Sequence, residues 1–194
     1  MPTVLKPPPR HMTVIEFLVW DSGDRTGALW QLRDAIPERI APASDAHGSI
    51  QAQLAYLLIA HLDGRPDTCR VVAAPGVVPQ ARSPENCLVP ALGITCAPPA
   101  GGATLPDPVV LIEILSPSNE AETRANVWAY TTIPTVAEIV LLRSSAVAAE
   151  VLRRRPDGTW PEQADMIGAE GELRLDSIGF AAPLRAAYRT GGVR

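Results

Sequence analysis

Glu113 is the residue whose neighbours most demand an explanation. It sits inside Val109-Val110-Leu111-Ile112-Glu113-Ile114-Leu115, an almost continuous aliphatic run. Such a run reads as a strand in the middle of a sheet, covered on both faces. A carboxylate there carries a desolvation cost of roughly several kcal/mol unless it is paired, protonated or bound to a metal. Two readings stand side by side. Glu113 is a charged group at a functional site, or its side chain is neutralised by an arginine or turned to the polar rim of the sheet. The strand ends in Ser116-Pro117-Ser118, a strand-to-helix turn. The N-terminus of the following helix suits an anion such as a phosphate, with Ser116 and Ser118 beside it. A serine nucleophile in that turn would need a histidine and an acid at a recognisable spacing, and the sequence offers none.

Other reactive types are more ambiguous. His47 and Gln51 fall one turn apart on one helical face. His61 lies on the apolar face near the end of the same helix, as a core or helix C-terminal histidine. Arg153-Arg154-Arg155 is the densest positive run, and it reads first as a solvated sheet edge that discourages strand pairing. Trp128 and Tyr130 read as packing residues. Cys69, Cys87 and Cys96 are an odd number without C-x-x-C spacing. They are expected as small buried hydrophobes, neither a disulfide framework nor a zinc site.

These groups need elements to hold them. Thr13 with Glu16 three residues on is a capping box opening a short helix over 14–20. Short strands are expected over 29–32 and 38–41, around a turn at 34–37. Ser44 or Asp45 caps a helix to about residue 62, with Ile50, Leu54, Leu57 and Leu58 on its apolar face. Strands over 70–78 and 88–95 are separated in hairpin fashion. Ser118 or Asn119 caps a second helix that stops before Pro134. Strands at 137–143 and 147–154, a late strand at 172–176 and a helical turn at 183–188 complete the chain. The fold class is α/β (α+β), a mixed sheet flanked by helices. One domain over 12–190 follows an extended N-terminal arm, residues 1–11, whose prolines fix its backbone.

Composition narrows the function. With 194 residues the chain can bury a sizeable core. Twenty prolines and fourteen glycines predict short elements and long turns rather than low complexity. A net charge of −4 argues against nucleic-acid binding by a broad basic surface. A local basic groove remains compatible, because every cation except Lys6 is an arginine. No signal peptide or membrane-spanning run is legible, which predicts a cytoplasmic protein.

Several blocks, taken together, resemble one family. Trp30-Gln31-Leu32-Arg33-Asp34, Ile40-Ala41-Pro42-Ala43-Ser44 and His47-Gly48-Ser49-Ile50-Gln51 form the first half. Ile112-Glu113-Ile114-Leu115-Ser116-Pro117-Ser118, Asn126-Val127-Trp128-Ala129-Tyr130 and Ile133-Pro134 form the second. In order and spacing they resemble the Uma-two family of restriction-endonuclease-like proteins over residues 12–155. The resemblance implies a PD-(D/E)-x-K nuclease core that hydrolyses DNA phosphodiesters and commonly works as a homodimer. In such a core, an Asp and a Glu present oxygen ligands to Mg²⁺ or Mn²⁺. Carried over, the metal-binding Glu falls on Glu113. The acidic residue opening the first block falls on Gln31, which keeps an oxygen but no charge. The metal-binding Asp falls on Ala91, and the lysine on Asn126; Lys6 lies too far away in the arm to replace it. His47 and Gln51 border the cleft, within reach of a phosphate or a metal-bound water. Asp107, in a Pro-Asp step six residues before Glu113, is the candidate substitute ligand, or simply a turn at the strand entrance. The expectation is therefore a metal-dependent endonuclease with a rearranged centre, or an inactive relative kept for binding or oligomerisation.

Overall fold

A computed structural model describes residues 11–65 and 68–193. The arm expected over residues 1–11, with Lys6, lies outside them apart from His11. Helix α1 (Val14–Leu18) opens on the expected capping box: the Thr13 hydroxyl accepts the Glu16 N–H, and the Glu16 carboxylate accepts the Thr13 N–H at 2.7 Å. Strands β1 (Trp30–Arg33) and β2 (Ile36–Arg39) form an antiparallel hairpin. Its turn is only Asp34-Ala35, at φ 48° and 65°. Two residues at positive φ match the twist of the flanking strands, so this turn is tighter than the 34–37 turn expected. That shift in register sets Gln31 opposite Glu38.

Helix α2 (Asp45–Leu62) starts where Ser44 Oγ accepts the His47 N–H. Beyond it lies a six-stranded sheet, in the order β3 (Arg70–Ala73), β4 (Leu92–Thr95), β5 (Pro108–Leu115), β6 (Glu138–Arg143), β7 (Ala149–Arg153), β8 (Asp165–Ile167). The β5–β6 pair is parallel, with helix α3 (Glu120–Tyr130) as its crossover, and the other pairs are antiparallel. Alternation along β5 divides the core. Val110, Ile112 and Ile114 pack with Ile50, Leu54 and Leu58 of α2, while Leu111 and Leu115 pack with Val127 and Tyr130 of α3. Glu113 shares the face of Leu111 and Leu115 and therefore looks toward α3. Each buried Leu or Ile contributes about 1.5–3 kcal/mol, so these layers hold together without help from Glu113. A second hairpin, β9 (Glu172–Leu175) and β10 (Phe180–Pro183), joins α4 (Leu184–Ala187) in closing the α2 side.

The structure corrects several local expectations. β3 ends at Ala73 because the next residue, Ala74, turns the chain at φ 47°; of the longer hairpin only a Val77–Leu88 bridge remains. β8 and β10 carry too little alternation to have been legible. Trp128 is not a core residue, being 60% exposed. Arginines 153–155 are engaged internally rather than presented as a basic patch. Arg153 pairs with Asp165 at 2.6 Å, Arg154 donates to the carbonyls of Thr131, Ile133 and Val136, and Arg155 donates to Thr159 Oγ1 and the Trp160 carbonyl. Cys69 and Cys96 form a disulfide. Their pairing extends the β3–β4 ladder one step past Arg70–Thr95, where residues stand directly opposite. Cys87 keeps the expected state: it is free and buried, and burial pushes its thiol up to about 11. Among the described residues, no helix is long and apolar enough to cross a membrane.

Candidate functional site

The β4–β5 ladder pairs Leu92 with Ile112. Ala91, the residue just before β4, lies next to Glu113. Glu113 is 7% exposed. The Tyr130 hydroxyl, from the last turn of α3, donates to Glu113 Oε1 at 2.7 Å, and the Ala91 N–H donates to the same carboxylate. Loss of water dominates its protonation. Burial drives the carboxyl up, the two hydrogen bonds and the Arg33 charge pull it back in part, and it settles at about 7. Burial and the adjacent Glu113 together hold the Tyr130 hydroxyl well above its ordinary value.

Further groups extend this pair into a chain. The Asn126 side chain hydrogen-bonds Tyr130. On the other side, Gln51 Nε2 donates to the Ala91 carbonyl at 2.7 Å. The β1–β2 hairpin supplies a second set: Gln31 Nε2 donates to Glu38 Oε2 at 3.1 Å, and Arg33 Nε lies 3.3 Å from the same oxygen. Ser116 and Ser118 hydrogen-bond each other through their hydroxyls at 3.0 Å, at the mouth. His47 is half-buried, and that burial lowers its pKa and favours the neutral ring.

These groups line a single cleft of about 890 Å³, walled on one side by residues 26–29 and 39–44 and on the other by the first half of α3. Gln31, His47, Gln51, Ala91, Glu113, Ser116, Ser118 and Asn126 all contribute to it. Asp107 does not. It sits just ahead of β5, six residues or roughly 20 Å along the strand from Glu113. It is exposed at φ 41°, and its carbonyl accepts from Thr95 Oγ1 at 3.1 Å. A Pro-Asp step at the strand entrance cannot deliver its carboxylate to the strand's far end.

Three contributors escape the sequence reading. Glu38 and Arg33 are hidden by the looser turn expected at 34–37, since the observed two-residue turn is what sets Gln31 against Glu38. Tyr130 is legible as a packing residue; its hydroxyl's bond to Glu113 follows only from the crossover of α3 over β5.

Residues 14–182 match the Uma2 family, described as "Putative restriction endonuclease". The chain belongs to this family. Its fold is also that of a solved structure, a "putative nuclease belonging to DUF820" from Anabaena variabilis ATCC 29413. That structure agrees at a TM-score of 0.72, with 14% identity, over 93% of this chain and 99% of that one. At such an identity the likeness establishes the fold alone. No curated protein matches the chain.

The residues of this Uma2 chain fit the implied Mg²⁺ poorly. Mg²⁺ takes oxygen ligands, neutral ones included, but a protein anchors it through one or two free carboxylates. Ala91 offers only backbone where the family resemblance places an Asp, and its N–H donates to Glu113. Glu113 accepts from the Tyr130 hydroxyl and the Ala91 N–H, and Glu38 is engaged by an arginine and a glutamine. Among the described residues, no group of three or more His, Cys, Asp or Glu side chains is placed to hold a metal.

Proposed function

We propose that this protein is a DNA-directed member of the Uma2 family whose hydrolytic metal centre is incomplete, so that it does not cleave DNA phosphodiesters at an appreciable rate. One observation carries the reading: Ala91, whose backbone N–H donates to the Glu113 carboxylate, brings no acidic side chain to the cleft. Losing a direct ligand should exceed the ~10–100-fold cost typical of an altered supporting residue, and no lysine of the described chain stands by to compensate. What the cleft retains is a polar floor of Gln31, Gln51, Asn126 and Glu113, with serines at its mouth. Such groups support binding of nucleic acid rather than its hydrolysis. Pairing of two copies is part of the same proposal; α2 supports it by turning Tyr56 and Ile59 to solvent, and sedimentation equilibrium tests it.

A second reading has its own observation in favour. Gln31 holds Glu38 in the same cleft as Glu113, so a Mg²⁺- or Mn²⁺-dependent nuclease with two rearranged carboxylates is the alternative. Plasmid nicking separates the two. The native protein with Mn²⁺ is expected to leave supercoiled DNA intact over hours, while retaining it in a gel-shift assay. Nicking by the native protein that disappears in Glu113→Ala would instead establish the rearranged centre.

A further inference from the structure

The structure assigns a cation to this cleft, and we propose that it is Arg33: its guanidinium takes the place of a divalent metal and keeps one out. This rests on the incomplete-centre reading above and names what fills the gap. Arg33 ends β1 and projects into the cleft with its side chain only 19% exposed. Its Nε is fully buried and makes no hydrogen bond, yet lies 3.3 Å from Glu38 Oε2. It is thus held by charge rather than by a directed bond.

Glu38 is the carboxylate that the β1–β2 hairpin contributes to the cleft, and the same oxygen also accepts from Gln31 at 3.1 Å. An entering divalent ion would have to displace both partners and would face a fixed like charge a few ångströms away, where screening by water is weak. Arg39, the other arginine on the cleft wall, is not available for the role: it pairs with Asp24 at 3.3 Å and donates to Thr26 Oγ1. Arg33 therefore decides which cation the Glu38 and Glu113 carboxylates see.

The test is Mn²⁺ retention, read from the electron paramagnetic resonance signal of the free ion at about pH 8 and independent of any cleavage. The native protein is expected to show no saturable site. Arg33→Gln is expected to acquire one, with affinity raised at least about tenfold. Adding Glu38→Gln to Arg33→Gln should remove the gain, and Arg33→Lys, which keeps the charge, should stay empty. Stoichiometric Mn²⁺ binding by the native protein that Glu113→Gln abolishes would overturn the proposal, and this arm needs no Arg33 variant to fold. A folded Arg33→Gln, checked by its thermal melt, that binds Mn²⁺ no better than native would overturn it as well. Neither result depends on whether any variant nicks DNA, so failure here is distinct from failure of the functional reading.

Discussion

Glu113→Gln is expected to stabilise the protein at pH 8 by about 2 kcal/mol, although it removes the carboxylate on which the proposed centre would be built. The reasoning is one of proton linkage. In the folded chain the Glu113 carboxyl keeps its proton up to about pH 7, against 4.5 for the ordinary group. Between those values the folded state binds more protons than the unfolded state, so this residue's contribution to stability falls as pH rises from 4.5 to 7 and stays low above. The full cost is roughly 3 kcal/mol. Glutamine avoids it but must rearrange the bonds to Tyr130 and Ala91, which takes back about 1 kcal/mol. Urea unfolding of both proteins at pH 5 and pH 8 checks the sign. The variant's advantage should be small or reversed at pH 5 and positive at pH 8. A variant less stable than native at pH 8 would mean that the ionised Glu113 carboxylate is well paired in the fold.

Reduction of the Cys69–Cys96 disulfide is expected to cost about 3–4 kcal/mol by the chain-entropy argument, since the bond closes a loop between residues 27 apart. For a domain whose whole stability is about 5–15 kcal/mol, that is a large share. The bond ties β3, an edge strand of four residues, to β4, the strand that leads out of Ala91. Unfolding midpoints with and without a phosphine reductant, and for Cys69→Ser/Cys96→Ser, should agree with each other and lie below native. Thiol titration gives an internal control: the folded, oxidised protein should react slowly, because Cys87 is buried with its pKa near 11. Equal midpoints in oxidised and reduced protein would show that the ladder alone holds this edge.

How much of this was legible in the sequence depended on whether the signal was local. The α1 capping box, the Ser44 cap of α2 and the buried run of β5 are set by residues within a few positions of one another, and the structure keeps them. Glu113 announced itself because a carboxylate in an aliphatic strand is costly wherever the strand lies. The resemblance brought Gln31, Gln51, Ala91 and Asn126 forward as a group, and all four line one cleft. What failed were inferences across the fold. Asp107 repeated the expected dipeptide, but at the wrong end of its strand. Glu38 and Arg33 depended on a turn two residues shorter than expected. The Cys69–Cys96 pair depended on the β3–β4 register, which an odd cysteine count obscured. Tyr130 could be placed on a helix but not over Glu113, because a parallel crossover leaves no spacing rule between the helix and the strand below it.

The central claim is that the centre is short of one carboxylate, at Ala91 beside Glu113. The most direct measurement is Mn²⁺-dependent nicking of supercoiled plasmid by Ala91→Asp, beside native protein and Ala91→Asp/Glu113→Ala. The account predicts silence from the native protein, nicking by Ala91→Asp, whose added carboxylate beside Glu113 outweighs the Arg33 charge, and silence again when Glu113 is removed from it. Nicking by the native protein at a rate equal to that of Ala91→Asp would contradict it.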